Sequence, residues 1–219
     1  MISISGNTGP DIDPDWSEPM PQSIEATANR IINGERTPEF DHLRAEITFV
    51  AAETVVPEPK LAFLFKYWAA IREAEGRLPI RKDIDVLELR QAIGNIMMLD
   101  VLDEGFDARY RVYGTGVAEY AGHDWTGKTL SEMCRKTRTP LALLYRACYL
   151  AVYRTGRPIY TESMSPSWLA PKAWRRMILP YADERGACVG FMVGNIPVEP
   201  QRKDINPKDV ASSLIYRNR

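Results

Sequence analysis

The sequence predicts an α+β fold: a five-stranded antiparallel sheet with helices on one face and a flanking helix ahead of it. Three observations predict it. Two β-prone runs, 96–102 and 108–113, are joined by the turn residues Asp103, Glu104 and Gly105, which is a hairpin signal. A helical insert follows, punctuated by Gly114, Gly116, Gly122 and Gly127 and ending in a long apolar helix at 140–155. Three more β-prone runs then stand close together at 159–164, 174–181 and 188–195, with Asp183, Glu184, Arg185 and Gly186 turning between the last two. Two strands, helices and a three-strand meander make one antiparallel sheet with its helices on one side.

Taken in order, residues 1–21 are rich in Pro, Asp, Ser and Gly and carry almost no apolar periodicity, too little to offset ordering entropy. Residues 22–33 show a weak helical pattern through Ile24, Ala28, Ile31 and Ile32. Residues 39–52 are ambiguous: Ile47, Thr48, Phe49 and Val50 favour a strand, and their neighbours favour a helix. Pro57 and Pro59 break both element types. From Lys60 onward, Leu61, Leu64, Phe65, Trp68 and Ile71 fall at helical spacing, and Gly76 closes the helix. Phe63, Tyr67, Ala70 and Ala74 form a second apolar stripe on it. Asp85 can cap a short helix at 86–93. The helix at 140–155 carries the stripe Leu141, Leu144, Tyr145, Cys148, Tyr149 and Val152, and Gly156 and Pro158 end it. The chain from Pro197 is polar. These readings divide the chain into an acidic, partly disordered extension at 1–58, a folded domain at 59–197 and a polar tail at 198–219.

Charge is unevenly spread. Residues 1–58 hold eleven acidic side chains against three arginines, a balance of −8 in a chain of net charge −1, which leaves +7 on the remainder. An acidic arm can fold back on such a basic body, or it can remain a solvated leader. No apolar run approaches the ~20 residues that span a bilayer. The N-terminus lacks a basic and apolar secretory pattern, so the cytoplasm is the expected compartment. Cys134, Cys148 and Cys188 are dispersed, which argues against a disulfide framework or a zinc site. Dispersed basic residues give no nucleic-acid footprint.

Motifs for catalysis are weak. His42 and His123 have no histidine partner at helical spacing, so no metal pair is read. Gly114 and Gly116 are too few for a dinucleotide fingerprint. Residues 122–129 satisfy the phosphate-loop pattern Gly-x-x-x-x-Gly-Lys-Thr literally, but the segment before them reads as helix, whereas that loop should follow a buried parallel strand. No Ser-His-Asp, Cys-His or paired-carboxylate arrangement is legible, so no catalytic residue and no enzyme activity are expected. Arg109 and Arg111 leave one sheet face, while Arg175 and Arg176 point to opposite faces of their strand. Ion pairing with Asp100, Asp103 or the flanking helix is the plain reading of these arginines, and an anionic ligand is the functional one. The candidate ligand contacts are Arg111, Trp125, Tyr145, Cys148, Tyr160, Met177 and Met192, set between sheet and helices. Aromatics and methionines at such places also serve as ordinary core.

Three stretches carry a resemblance: Leu78, Pro79, Ile80 and Arg81 running to Asp85; Ile93 and Gly94 running to Asp100 and Val101; and the glycine-punctuated run from Tyr110 to Leu130. Over roughly residues 60–196 the chain resembles a PAS-like domain family of alphaproteobacterial proteins, formerly a domain of unknown function. The resemblance implies a PAS-like sheet and a sensory or protein-interaction role, but no particular ligand. PAS haem proteins use a histidine on the long helix, and this helix has none. Flavin-thiol PAS domains carry an Asn-Cys-Arg-Phe-Leu-like run, of which the surroundings of Cys134 keep little. No cofactor is therefore expected. Related domains often pair through the flanking helix, so Phe63, Tyr67, Ala70 and Ala74 are expected at a homodimer interface. The alternative cover for that stripe is the arm, through Ile31, Ile32 or Phe49. No output region is read in the sequence, so signalling is expected to pass through a partner protein or oligomerisation. The competing readings are a small α+β binding enzyme of ketosteroid-isomerase-like shape, with Asp100 as its strand acid, and a nucleotide-binding phosphate loop.

Overall fold

A computed structural model describes residues 17–102, 106–139, 141–165, 169 and 171–198. In chain order the elements are α1 (Pro21–Asn33), β1 (Glu46–Phe49), α2 (Pro59–Glu75), β2 (Ile96–Leu102), β3 (Asp107–Tyr113), α3 (Thr115–Ala121), α4 (Leu130–Thr137), α5 (Leu141–Thr155), β4 (Ile159–Met164), β5 (Ala173–Ala182) and β6 (Cys188–Val198). Among the described residues the strands form one sheet of six, in the order β1-β4-β5-β6-β2-β3. Every strand pair is antiparallel.

The expected architecture holds with one more strand than predicted. The ambiguous segment resolves into a 3₁₀ turn, Pro38–Leu43, followed by β1. What makes it a strand is its partner: Ile47 and Phe49 stand opposite Thr161 and Ile159 of β4. The segment after Asp85 also differs from expectation. It forms turns, with the Asp85 carboxylate accepting from the Leu87 amide at 2.8 Å, rather than a helix. The expected hairpin turn at 103–105 lies outside the described residues, as does the tail beyond 198.

Two apolar cores lie on opposite faces of the sheet. Helix α2 starts at a proline in its first turn and closes on Gly76. It lays Leu61, Leu64, Phe65 and Trp68 over Met98, Met177, Leu179 and Met192 of the sheet. The Trp68 indole N–H donates to the Pro180 carbonyl at 2.7 Å, which satisfies its one polar atom. The other face is covered by α3, α4 and α5, and α1 packs in turn on α5. Ile24, Ala28, Ile31, Phe40 and Leu43 all belong to that core, so packing runs across the division expected at residue 58. Ion pairs reinforce this contact: Glu25 meets Arg154 at 2.6 Å, and Glu18 meets Arg135 at 3.5 Å.

Two glycines in the insert have distinct physical roles. Gly122 ends α3 at φ 71°, where a β-branched side chain is strained. Gly114 has an ordinary φ of −54°, but a Cβ on it would sit 2.5 Å from the Gly94 carbonyl oxygen. Helix α4 opens on a reciprocal capping box between Thr129 and Glu132.

Candidate functional site

A cavity of ≈ 60 Å³ lies between the sheet and the helical insert. Strand alternation decides what reaches it. On β5, Trp174 and Arg176 turn toward the helices, while Met177 and Leu179 turn toward α2. Asn195 of β6 stands opposite Arg176, and Thr161 of β4 stands on its other side. Tyr113 comes from the end of β3, Trp125 from the loop after α3, and Tyr145 from α5.

Arg176 dominates the electrostatics. It is only 6% exposed. Its Nε donates to Asn195 Oδ1 at 3.3 Å, and its guanidinium lies 3.8 Å from the centre of the Tyr145 ring. Its Nη1 is buried without a hydrogen-bond partner, and among the described residues no carboxylate pairs with it. The neighbouring phenols cannot serve as counter-ions. Burial pushes Tyr149 up to about 12 and also raises Tyr110, Tyr113 and Tyr145, so all four are neutral at pH 7. Magnitudes show the imbalance. A buried ion costs several kcal/mol even after relaxation. A desolvated cation–π contact returns about 2 kcal/mol, and one hydrogen bond to a charged group about 1.5–3 kcal/mol. A second buried arginine, Arg146 of α5, has Glu18 at 3.8 Å.

Of the seven sequence candidates, Trp125 and Tyr145 line this cavity. Cys148 packs in the same core without lining it. Tyr160, Met177 and Met192 lie on the opposite sheet face, beneath α2. Arg111 is exposed and donates to Asp100 at 2.5 Å, the ion pair named as its plain reading. Sequence reasoning put Arg176 on one face of its strand but left it out of the candidate set. The one available signal was a pair of adjacent arginines, Arg175 and Arg176, inside the otherwise apolar run of β5, one of which alternation must send to each face.

The remaining motifs find structural employment. The loop at 122–129 follows a helix, and its backbone pairs with β3: the Gly127 amide donates to the Tyr110 carbonyl at 2.8 Å, and the Tyr110 amide to the Lys128 carbonyl at 2.9 Å. Lys128 faces Glu132 at 3.4 Å. Asp100 accepts from the Tyr181 hydroxyl at 2.6 Å as well as from Arg111. Burial acts to raise its pKa, but these two partners outweigh burial and hold it below the usual value, the reverse of a general base. Burial pushes the Cys134 and Cys148 thiols up to about 12, which removes their thiolate character. His123 is half-buried edge-on to Trp125, with 4.4 Å between ring centres. No cluster of potential metal ligands occurs among the described residues.

On the flanking helix, Phe63 and Tyr67 are half-buried within the chain itself, and Ala70 and Ala74 are exposed. The Tyr67 hydroxyl donates to the Asp83 carbonyl at 3.3 Å and accepts from the Asp85 amide at 2.8 Å. The segment that follows the helix thus covers part of the stripe that was expected to face a second copy or the arm.

A six-stranded antiparallel sheet, with a helical insert between β3 and β4 over one face and a flanking helix over the other, defines the class: a single-sheet α+β domain covered on both faces. A family model described as PAS domain matches residues 56–191, and the chain belongs to that family. Helix α1 and strand β1 lie ahead of the matched span. A solved structure described as an RNA-binding Light-Oxygen-Voltage receptor is similar at 9% identity and a TM-score of 0.42, over 80% of this chain and 42% of that one. The chain therefore spans less than half of that receptor's length. No curated protein matches. Among the described residues no helix is long and apolar enough to cross a membrane.

Proposed function

We propose that this PAS domain is a sensory module whose input is a small molecule held in the cavity between sheet and insert. Its output passes to a partner protein or to a second copy of the chain. The observation that carries the reading is the cavity, where strand and helix side chains converge on the buried polar groups of Arg176, Asn195 and Thr139. Pockets that combine apolar walls with a few placed polar groups are the default ligand sites of a fold. The walls include short elements of the insert, α3 and α4, which a ligand can bias without disturbing the sheet. On this reading the face beneath α2 is structural.

Native mass spectrometry of protein purified from its own host, beside a denatured control, tests the proposal. A retained molecule released on denaturation, and displaced by enlarging Ala142 in the cavity wall, is the expected result. A clean apo mass, together with no thermal shift from any member of a metabolite panel, would overturn it.

A further inference from the structure

We propose that the cavity takes a small organic monocarboxylate, bound through the guanidinium of Arg176. The proposal rests on the cavity being a ligand site and adds the chemical class of the ligand.

Four observations lead to that class. The site holds one full positive charge with no carboxylate against it among the described residues, so a ligand bearing one negative charge neutralises it. The Nη1 edge is buried and unpartnered, and a carboxylate is the acceptor whose two oxygens match a guanidinium edge. The walls are mainly apolar and aromatic, with Trp125, Met133, Leu141 and Trp174 around the one cation and Thr137, Thr139 and Asn195 as the smaller polar share. Such walls suit a hydrocarbon tail. A phosphate would bring extra charge and set its oxygens against carbon. Finally, the volume of ≈ 60 Å³ has room for only a few waters' worth of ligand, so the tail is a few carbons long. The phenols of Tyr113 and Tyr145 are neutral, so they can donate to the carboxylate without repelling it.

Butyrate and its neutral isostere butyramide make the test, with isothermal titration at matched ionic strength and inorganic phosphate as a third probe. Butyrate should bind the full chain at least tenfold more tightly than butyramide or phosphate. Arg176→Gln should abolish that preference. The wild-type comparison decides the matter if the variant does not fold. Equal binding of butyrate and butyramide would overturn the carboxylate assignment while leaving the cavity a ligand site. Tighter binding of phosphate would overturn it in favour of an inorganic anion. Binding by none of the three would overturn it too, and a molecule retained in the native mass spectrum would then show that the sensory reading stands without it.

Discussion

Arg175 and Arg176 are neighbours on β5 and have opposite electrostatic fates. Arg175 turns toward the α2 face, where its Nε meets Glu162 at 2.8 Å and its Nη1 faces Glu58 at 3.9 Å, with 29% of its side chain still in solvent. Arg176 turns toward the helical insert, where it meets the Tyr145 ring, an asparagine oxygen and the cavity. The same contrast runs through both faces of the sheet. Beneath α2, methionines and leucines fill the layer and the charges at its margin are paired. Beneath the insert, the apolar layer is interrupted by a cation and a cavity. A fold that needs only stability has no use for the second arrangement, because well-packed apolar residues match or exceed a buried charge. On the proposed reading, the difference separates a structural face from a ligand-binding one.

The largest expected effect comes from removing what covers the insert side. The side chains of Ile24, Ile31, Phe40 and Leu43 each contribute about 1.5–3 kcal/mol when buried. That sum rivals the whole stability of a domain. A chain beginning at Glu58 should therefore lose cooperative thermal unfolding. A trimmed chain that melts near the full-length midpoint would show that α1 and β1 are dispensable and the division at 58 is real.

Next in size is Leu64→Ala, which opens a void in the filled α2 layer. It should cost about 2–5 kcal/mol in urea unfolding and leave butyrate binding untouched. Weakened butyrate binding would mean that the two faces are not independent.

Arg175→Met and Arg176→Met should differ in sign. The first removes two ion pairs of a partly exposed group and should destabilise by up to about 1 kcal/mol. The second removes an uncompensated buried charge and should leave the ligand-free protein as stable or more so, by up to about 4 kcal/mol. Equal destabilisation by both would erase the contrast.

The smallest effect is a pH dependence at the paired margin. The Asp100 pKa is lowered on folding, so its stabilisation is present above the ordinary carboxylate pKa and is lost as pH falls through the lowered one. Wild type should be more stable than Asp100→Asn near neutrality, and the two should converge in acid. A gap that persists unchanged at low pH would refute the ion-pair account.

How much of this was legible depended on range. Local signals sufficed for α2, for the β2 to β3 hairpin strands and for the long helix, because apolar spacing and end glycines lie within each segment. Strand β1 was not legible. Four residues of mixed preference become a strand only when β4, more than a hundred residues later, offers its edge. The cavity was legible in part. Period-two alternation says that Arg175 and Arg176 part company, but not which of them meets the acids and which the cavity. That depends on where Glu58 and Glu162 arrive in space. The same gap put Tyr160, Met177 and Met192 in the candidate set although their side of the strand faces α2.

Methionine methyl groups report on both faces at once, and they give the most direct test of the two-face account. Met133 lines the cavity, whereas Met98, Met177 and Met192 lie beneath α2. In a ¹³C-methyl methionine NMR titration with butyrate, the Met133 resonance should move progressively and saturate while those three stay fixed. A Met133 signal that does not move, or equal movement of the methyls under α2, would contradict the claim that the insert face holds the ligand and the α2 face holds the fold.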